Sequence, residues 1–350
     1  MDHARWRKSL LVELDRAAAR TQGRTLNTIF FGGGTPSLMD PDTVGDLIQA
    51  AQTHWQLAND AEITLEANPT SVEAGKFRAF ADAGVNRVSM GVQSLYDKDL
   101  KALGRLHSAA EARAAFDIAK SQFDRVSFDL IYARQTQSPE DWRMELREAL
   151  AMSVDHLSLY QLTIEPGTRF GDLYARGRLR DLPSDDAGAE MYDITQELCE
   201  AAGMPAYEIS NHAKKGAESR HNQIYWRYGD YVGIGPGAHG RVTISGQKIA
   251  TTTDLLPETW LTATETDVGA TKDAEIISGE DQATEYLMMS LRLAEGSYLS
   301  RYEGLSNSRL NPQALQNQQE MGFLVQEGDC IRATSEGRKI LNSVLKELLV

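Results

Sequence analysis

The chain is poor in cysteine. Its 350 residues hold two, Cys199 and Cys330, with no CxxC or CxxxCxxC spacing, which excludes a four-cysteine zinc site and a self-supplied iron–sulfur cluster for these residues. The two read as unrelated thiols, and a structural disulfide is not expected. No run of about 18 consecutive apolar residues occurs, so no transmembrane helix is expected. Basic residues are outnumbered: 36 Lys and Arg stand against 50 Asp and Glu, a net charge of −14. Phosphate backbones are bound by basic patches, so nucleic acid is not an expected partner. The start, Met1-Asp2-His3-Ala4-Arg5-Trp6, lacks the apolar core of a secretory signal, and the expected localisation is cytoplasmic.

What is present is 41% hydrophobic sequence, enough for a sizeable core in one large domain and a smaller one. Apolar spacing predicts helices near 2–20, 41–55, 71–83, 96–103, 108–121, 139–151 and 184–202, and strands at 28–32, 62–67, 87–93, 125–131 and 156–162. Such alternation implies an α/β fold with a parallel sheet and helices outside. Side chains alternate faces along a strand. One face is apolar throughout: Ile63 and Leu65; Val88, Met90 and Val92; Val126, Phe128 and Leu130; Leu157 and Leu159. The other carries Thr64 and Glu66; Ser89, Gly91 and Gln93; Ser127 and Asp129; Ser158 and Tyr160. Closed barrels fill their interior with bulky branched residues. Small inner residues suggest instead an open lumen, polar at the C-terminal strand ends where β/α barrels keep their active sites.

The stretch Phe30-Phe31-Gly32-Gly33-Gly34-Thr35-Pro36 falls at that end of the first strand. Its glycines free the backbone to touch a ligand, and Pro36 fixes the exit direction. Glu66, Gln93 and Asp129 fall on the same rim. Each has a bland reading: Glu66 a cap or an arginine partner, Asp129 a buried acceptor holding a loop, Gln93 a tie to Ser94. Together, on consecutive strands, they point to a small-molecule site. Glu66 or Asp129 suits a ribose diol or an ammonium, and Gln93 an amide-like or carboxylate edge. Arg105, in Gly104-Arg105-Leu106-His107, suits a carboxylate in two-pronged fashion, or is simply a helix-end cation.

These segments, with Glu66-Ala67-Asn68-Pro69, Gly91-Val92-Gln93-Ser94, Phe128-Asp129-Leu130-Ile131-Tyr132, the run from Tyr160 to Thr168, His221-Asn222-Gln223-Ile224-Tyr225-Trp226 and the run from Gly233 to Gly240, resemble radical S-adenosylmethionine proteins of the coproporphyrinogen III oxidase-like group. The match runs nearly end to end and is nearest the HemW-type heme chaperones. The resemblance implies an incomplete (β/α)6 TIM-like barrel. It implies that Gly33 and Gly34 meet the methionine amino group of S-adenosylmethionine, with Thr35 in the same site. It implies too that Glu66, Gln93, Arg105 and Asp129 hold its ribose and methionine parts. It further implies heme contact by His221, Asn222, Tyr225 and Trp226, with His221 on the heme iron.

The resemblance also brings a departure. Family members carry a first strand and a CxxxCxxC loop that ligates a 4Fe–4S cluster, and these residues contain neither. The expectation is no radical activity from this chain and weak S-adenosylmethionine binding at most. A start codon set too far downstream, or a genuine cluster-free relative, accounts for it. The strand at 28–32 then becomes an exposed sheet edge, so local disorder or pairing with a second chain is expected near residues 1–36.

The second half opens with an aromatic, glycine-rich block holding His221, Tyr225, Trp226, Tyr228, Tyr231 and His239. A neutral histidine nitrogen is a good ligand for heme iron; the bland reading is a loop tucked against the barrel. The glycines at 233, 235, 237 and 240 allow close approach to a cofactor or to the barrel rim. Residues 246–280 read as a linker. Helices near 284–293 and 311–321, a hairpin at 323–334 and a final helix at 336–349 resemble a winged-helix module, expected to pack or dock a partner since basic excess is small. The organisation is thus a barrel at 1–205, an extension at 206–275 and a C-terminal module at 276–350. Three functional readings remain open: a heme-binding chaperone serving a heme-accepting protein, an oxygen-independent coproporphyrinogen III oxidase acting on porphyrinogen propionates, and a non-catalytic scaffold.

Overall fold

The computed structural model describes residues 2–167, 169–266 and 269–349. Thr168, which closes one of the motifs above, lies outside the described residues. Helix α1 (His3–Arg20) leads into β1 (Thr25–Phe31), followed by α2 (Pro41–His54), β2 (Gln56–Ala67), α3 (Ser71–Ala74), α4 (Phe77–Asp82) and β3 (Arg87–Gln93). Next come α5 (Asp97–Ala102), α6 (Ala109–Gln122), β4 (Arg125–Tyr132), α7 (Pro139–Met152), β5 (His156–Gln161), α8 (Arg169–Ala175), α9 (Asp185–Ala201) and β6 (Asn211–Ala213). Local signals set the helix starts: Ser108 with Glu111 and Ser138 with Asp141 form capping boxes at α6 and α7, and Asp40 caps α2 ahead of Pro41.

Strands β1 to β5 pair in parallel in sequence order, and β6 joins β5 antiparallel. The result is a curled, incomplete barrel. Its outer face is the predicted apolar set, buried with Val44, Ile48, Phe77, Phe80, Phe116, Trp142 and Leu146 from the covering helices. The barrel sheet reaches beyond residue 205, where the sequence pattern ends it, because β6 has three residues and no alternation to read. The helix expected over 71–83 is broken between α3 and α4, at Gly75-Lys76, since glycine is costly inside a helix.

Helix α10 (Arg220–Trp226) packs on β1. A second, antiparallel sheet follows from β7 (His239–Ile244), β8 (Gln247–Thr253) and β9 (Thr271–Ile276), with α11 (Pro257–Thr264) between the last two. The expected linker at 246–280 is therefore largely regular structure; its Thr, Lys and Ala strand residues carry no apolar alternation, and every residue of β9 is exposed. The C-terminal module holds α12 (Gly279–Ser290), β10 (Ser297–Tyr298), α13 (Leu299–Ser306), α14 (Pro312–Glu320), β11 (Leu324–Glu327), β12 (Cys330–Ala333), α15 (Ser335–Lys339) and α16 (Leu341–Leu348). Its three strands pair in the order β10-β12-β11 beside a core of Leu287, Leu291, Leu310, Leu324, Ile331, Val344 and Leu345. The final helix is divided at Ile340 rather than continuous.

Where local disorder was one of the two expectations, the chain forms a regular helix and strand, and β1 stands at the edge of the six-stranded sheet. The extension clamps α1: buried Glu13 accepts from the Gly235 N–H at 2.6 Å and from Trp260 Nε1 at 3.1 Å, Trp6 stacks on Trp260, and Arg5 pairs with Glu258 and Glu265. Two glycines of the 233–240 run allow close packing within the extension: a Cβ at Gly233 would lie 2.1 Å from the His239 carbonyl oxygen, and one at Gly240 2.5 Å from Thr251 Oγ1. No described helix is long and apolar enough to cross a membrane.

Candidate functional site

The turn after β1 is built by its glycines. Gly33 and Gly34 adopt φ of 75° and 55°, left-handed conformations that side chains disfavour. Gly32 is small for a different reason: a Cβ there would sit 2.5 Å from Phe30 Cε1 and 3.4 Å from Glu66 Oε2. Beyond the turn, buried Glu73 accepts from Ser37 Oγ and, at 2.7 Å, from the Asn68 N–H, locking the loops after β1 and β2 together. Thr35 Oγ1 lies 3.5 Å from Asn68 Nδ2.

Glu66 accepts the Gly33 N–H at 3.2 Å, and burial raises its carboxyl above the usual range against that bond. Across the lumen, burial and then the Glu66 charge push Asp129 up to about 7, opposed by a hydrogen bond from Ser158 and by Arg87 and Arg105. The Tyr160 hydroxyl also bonds Ser158 and reaches Asn211 on β6. Among the described residues neither Glu66 nor Asp129 forms an ion pair, and the charge of each disfavours ionisation of the other. Arg105 is exposed on the rim and forms no ion pair among the described residues; its charge reaches Asp129.

Gln93 sits at a bulge in β3 with a φ of 72°, a strained state for a side chain other than glycine. The next residues hold it there. Ser94 Oγ and the Leu95 N–H donate to Glu145 at 2.7 and 2.8 Å, and Glu145, fully buried, pairs with Arg134 at 2.5 Å. Arg134 also reaches Asp99 at 3.0 Å. Loops after β3 and β4 are thereby one rigid unit, and the strain at Gln93 aims its amide back over Gly91, 3.2 Å from that residue's Cβ position.

The lumen floor is charged, where the sequence pattern suggested only small residues. Glu62 meets Arg125 at 3.2 Å and Arg87 at 4.0 Å, and Arg87 donates to Ser127 Oγ at 2.9 Å. Helix α10 leans into this space from the β1 side. The His221 ring stacks on Phe30, centroids 4.3 Å apart and 13° between planes, with Tyr225 edge-on at 4.7 Å. His221 Nδ1 lies 3.3 Å from Thr28 Oγ1 and its main-chain N–H donates to Glu62. Burial and the Arg87 charge hold the imidazole down to about 4, so it is neutral at pH 7. With the proton on Nδ1 toward Thr28, Nε2 keeps its lone pair for a ligand.

The predicted residues therefore fall into two groups. Gly33, Gly34, Glu66, Gln93 and Asp129 surround one rim, with Thr35 and Arg105 at its margin. His221 and Tyr225 line the wall below β1. Asn222 is tied to the Tyr207 hydroxyl, which also meets His156, and Trp226 lies beneath Arg292 on the α12 side. Sequence reading missed Phe30, hidden in an apolar pair with Phe31 although period two places it on the face of Thr28. It missed Glu73, Glu145 and Arg134 too.

Residues 3–149 match the model of the radical SAM superfamily, and residues 277–340 that of the HemN C-terminal domain. The chain is 39% identical to the heme chaperone HemW of Escherichia coli, over 99% of this chain and 90% of that protein. It is 36% identical to the mitochondrial radical S-adenosyl methionine domain-containing protein 1 of Bos taurus, over 100% and 81%. In structure it matches coproporphyrinogen III oxidase (HemN) of Escherichia coli with a TM-score of 0.79 at 19% identity, covering 97% of this chain and 82% of that one, a likeness of fold.

Proposed function

We propose, for a chain that belongs to the radical SAM superfamily and within it to the group of HemW and HemN, that it is a heme-binding protein of the chaperone kind with a nucleoside site above its heme site. The observation that carries the proposal is His221: a neutral imidazole stacked on Phe30, with Nδ1 3.3 Å from Thr28 Oγ1, in a chain 39% identical to a heme chaperone. The residues fit heme: His221 would hold it through a neutral nitrogen, and heme when bound would supply an iron that takes such a ligand. Phe30 and Tyr225 flank the histidine ring, one stacked on its face and the other edge-on.

The rim fits S-adenosylmethionine, which when bound supplies a sulfonium nucleoside. Glu66 and Asp129 answer its positive charges and diol, the glycine turn gives bare backbone groups, and Gln93 and Arg105 suit its amide-like and carboxylate edges. A 4Fe–4S cluster is not fitted by these residues. The two cysteines are a buried thiol in α9, pushed up to about 12 by burial, and one in β12 of the C-terminal module; among the described residues no group of three ligating side chains is assembled. No step is derived through such a cluster, and these residues on their own are assigned binding rather than radical chemistry. The barrel at 1–205, the extension at 206–275 and the module at 276–350 are the units of this reading, with β6 added to the barrel.

The test is heme transfer. Protein loaded with hemin is mixed with apomyoglobin, and the Soret band is followed. Movement of the band to the myoglobin position, at a rate set by the loaded protein and lost with H221A, supports the chaperone reading. Hemin that never binds, or that leaves no faster than from serum albumin, contradicts it; oxidised decarboxylation products from coproporphyrinogen favour the oxidase instead.

A further inference from the structure

We infer that Phe30 is a positioning residue shared by the two sites, so that a nucleoside on the rim and heme on His221 bind as a coupled pair. The inference rests on the proposed function above and goes beyond it, since two ligands could occupy one protein without sensing each other.

The geometry is specific. One face of the Phe30 ring stacks on His221 at 4.3 Å. The ring's edge and Glu66 Oε2 both lie within 3.4 Å of one point, the Cβ position that Gly32 leaves empty. Glu66 in turn holds the Gly33 N–H at 3.2 Å. A ligand seated on the glycine turn with its charge on Glu66 therefore meets the Phe30 edge. The ring cannot move away from that ligand without sliding on His221, whose other constraints are Thr28 at Nδ1 and Tyr225 at its edge. Phe30 is only half-buried, so part of its ring is open for a rim ligand to cover. A ligand that orders the ring spares the second ligand that ordering, which is positive coupling without any change of fold. The contacts run through one side chain, and binding linkage makes the effect reciprocal.

The experiment is a hemin titration followed at the Soret band, with and without saturating S-adenosylmethionine, paired with calorimetric titration of S-adenosylmethionine into protein with and without hemin. The expected result is tightening by about fivefold, the same factor in both directions. In Phe30→Leu the factor falls to one whatever the separate affinities become; Phe30→Met replaces it if circular dichroism shows that the leucine variant does not fold. Both ligands binding with a factor of one, or weaker hemin binding with the nucleoside present, overturns the inference, as does full coupling in the leucine variant. Failure of either ligand to bind the unaltered protein refutes the parent reading instead, so the two failures are told apart.

Discussion

Asp129→Asn isolates the electrostatics of the rim. The carboxyl titrates near 7 in the folded protein because burial and Glu66 disfavour its charge, against about 3.9 in an unfolded chain. Between those values the folded state holds the proton and the unfolded state does not. Stability therefore falls as pH rises from 4 through 7. Each unit is worth about 1.36 kcal/mol, so the ceiling at pH 8 is about 4 kcal/mol; lumen water shares the charge, and about 2 kcal/mol is the expected figure. The asparagine variant should melt about 3 °C higher at pH 8 and at the same temperature as the parent at pH 4. The same group predicts proton release. A cationic nucleoside favours the ionised carboxyl, so binding at pH 7 expels about half a proton, nearly one at pH 6 and about a tenth at pH 8. Calorimetry in buffers of different ionisation enthalpy reads this directly. Binding without proton release at pH 6, or a variant no more stable than the parent at pH 8, refutes the reasoning.

Glu145→Ala leaves Arg134 buried without its main partner and orphans Ser94 and the Leu95 N–H, so urea unfolding should show a loss of about 3–5 kcal/mol. Gly32→Ala drives a methyl into the Phe30 ring; a loss of about 1–3 kcal/mol should accompany weaker hemin binding in a Soret titration. Gln93→Gly relieves the left-handed strain and should stabilise by about 1 kcal/mol while weakening S-adenosylmethionine binding, measured by calorimetry.

The outer wall was legible because helix-covered parallel strands need unbroken apolar faces, and Leu65, Val88, Phe128 and Leu157 show that pattern without any tertiary knowledge. The rim was legible for the same reason: once the period-two register is set, Glu66 and Asp129 must share the inner face. The long-range locks were not. Ser94 and Glu145 are 51 positions apart, and nothing local marks a glutamate in a helix as the acceptor for a distant loop. Sheet β7-β8-β9 was missed because a solvent-exposed strand such as β9 has no apolar face to betray it. The HNxxYW run was visible as letters, but its division into a pair beside Phe30, His221 and Tyr225, and two separate ties, Asn222 to Tyr207 and Trp226 under Arg292, needs coordinates.

The most direct measurement is hemin binding by the unaltered protein and by His221→Ala and Thr28→Val, followed at the Soret band. A saturable band in the parent, absent without the imidazole and weakened when Thr28 no longer fixes its orientation, is the predicted result. An undiminished band in His221→Ala contradicts the claim that this histidine is the one that meets heme.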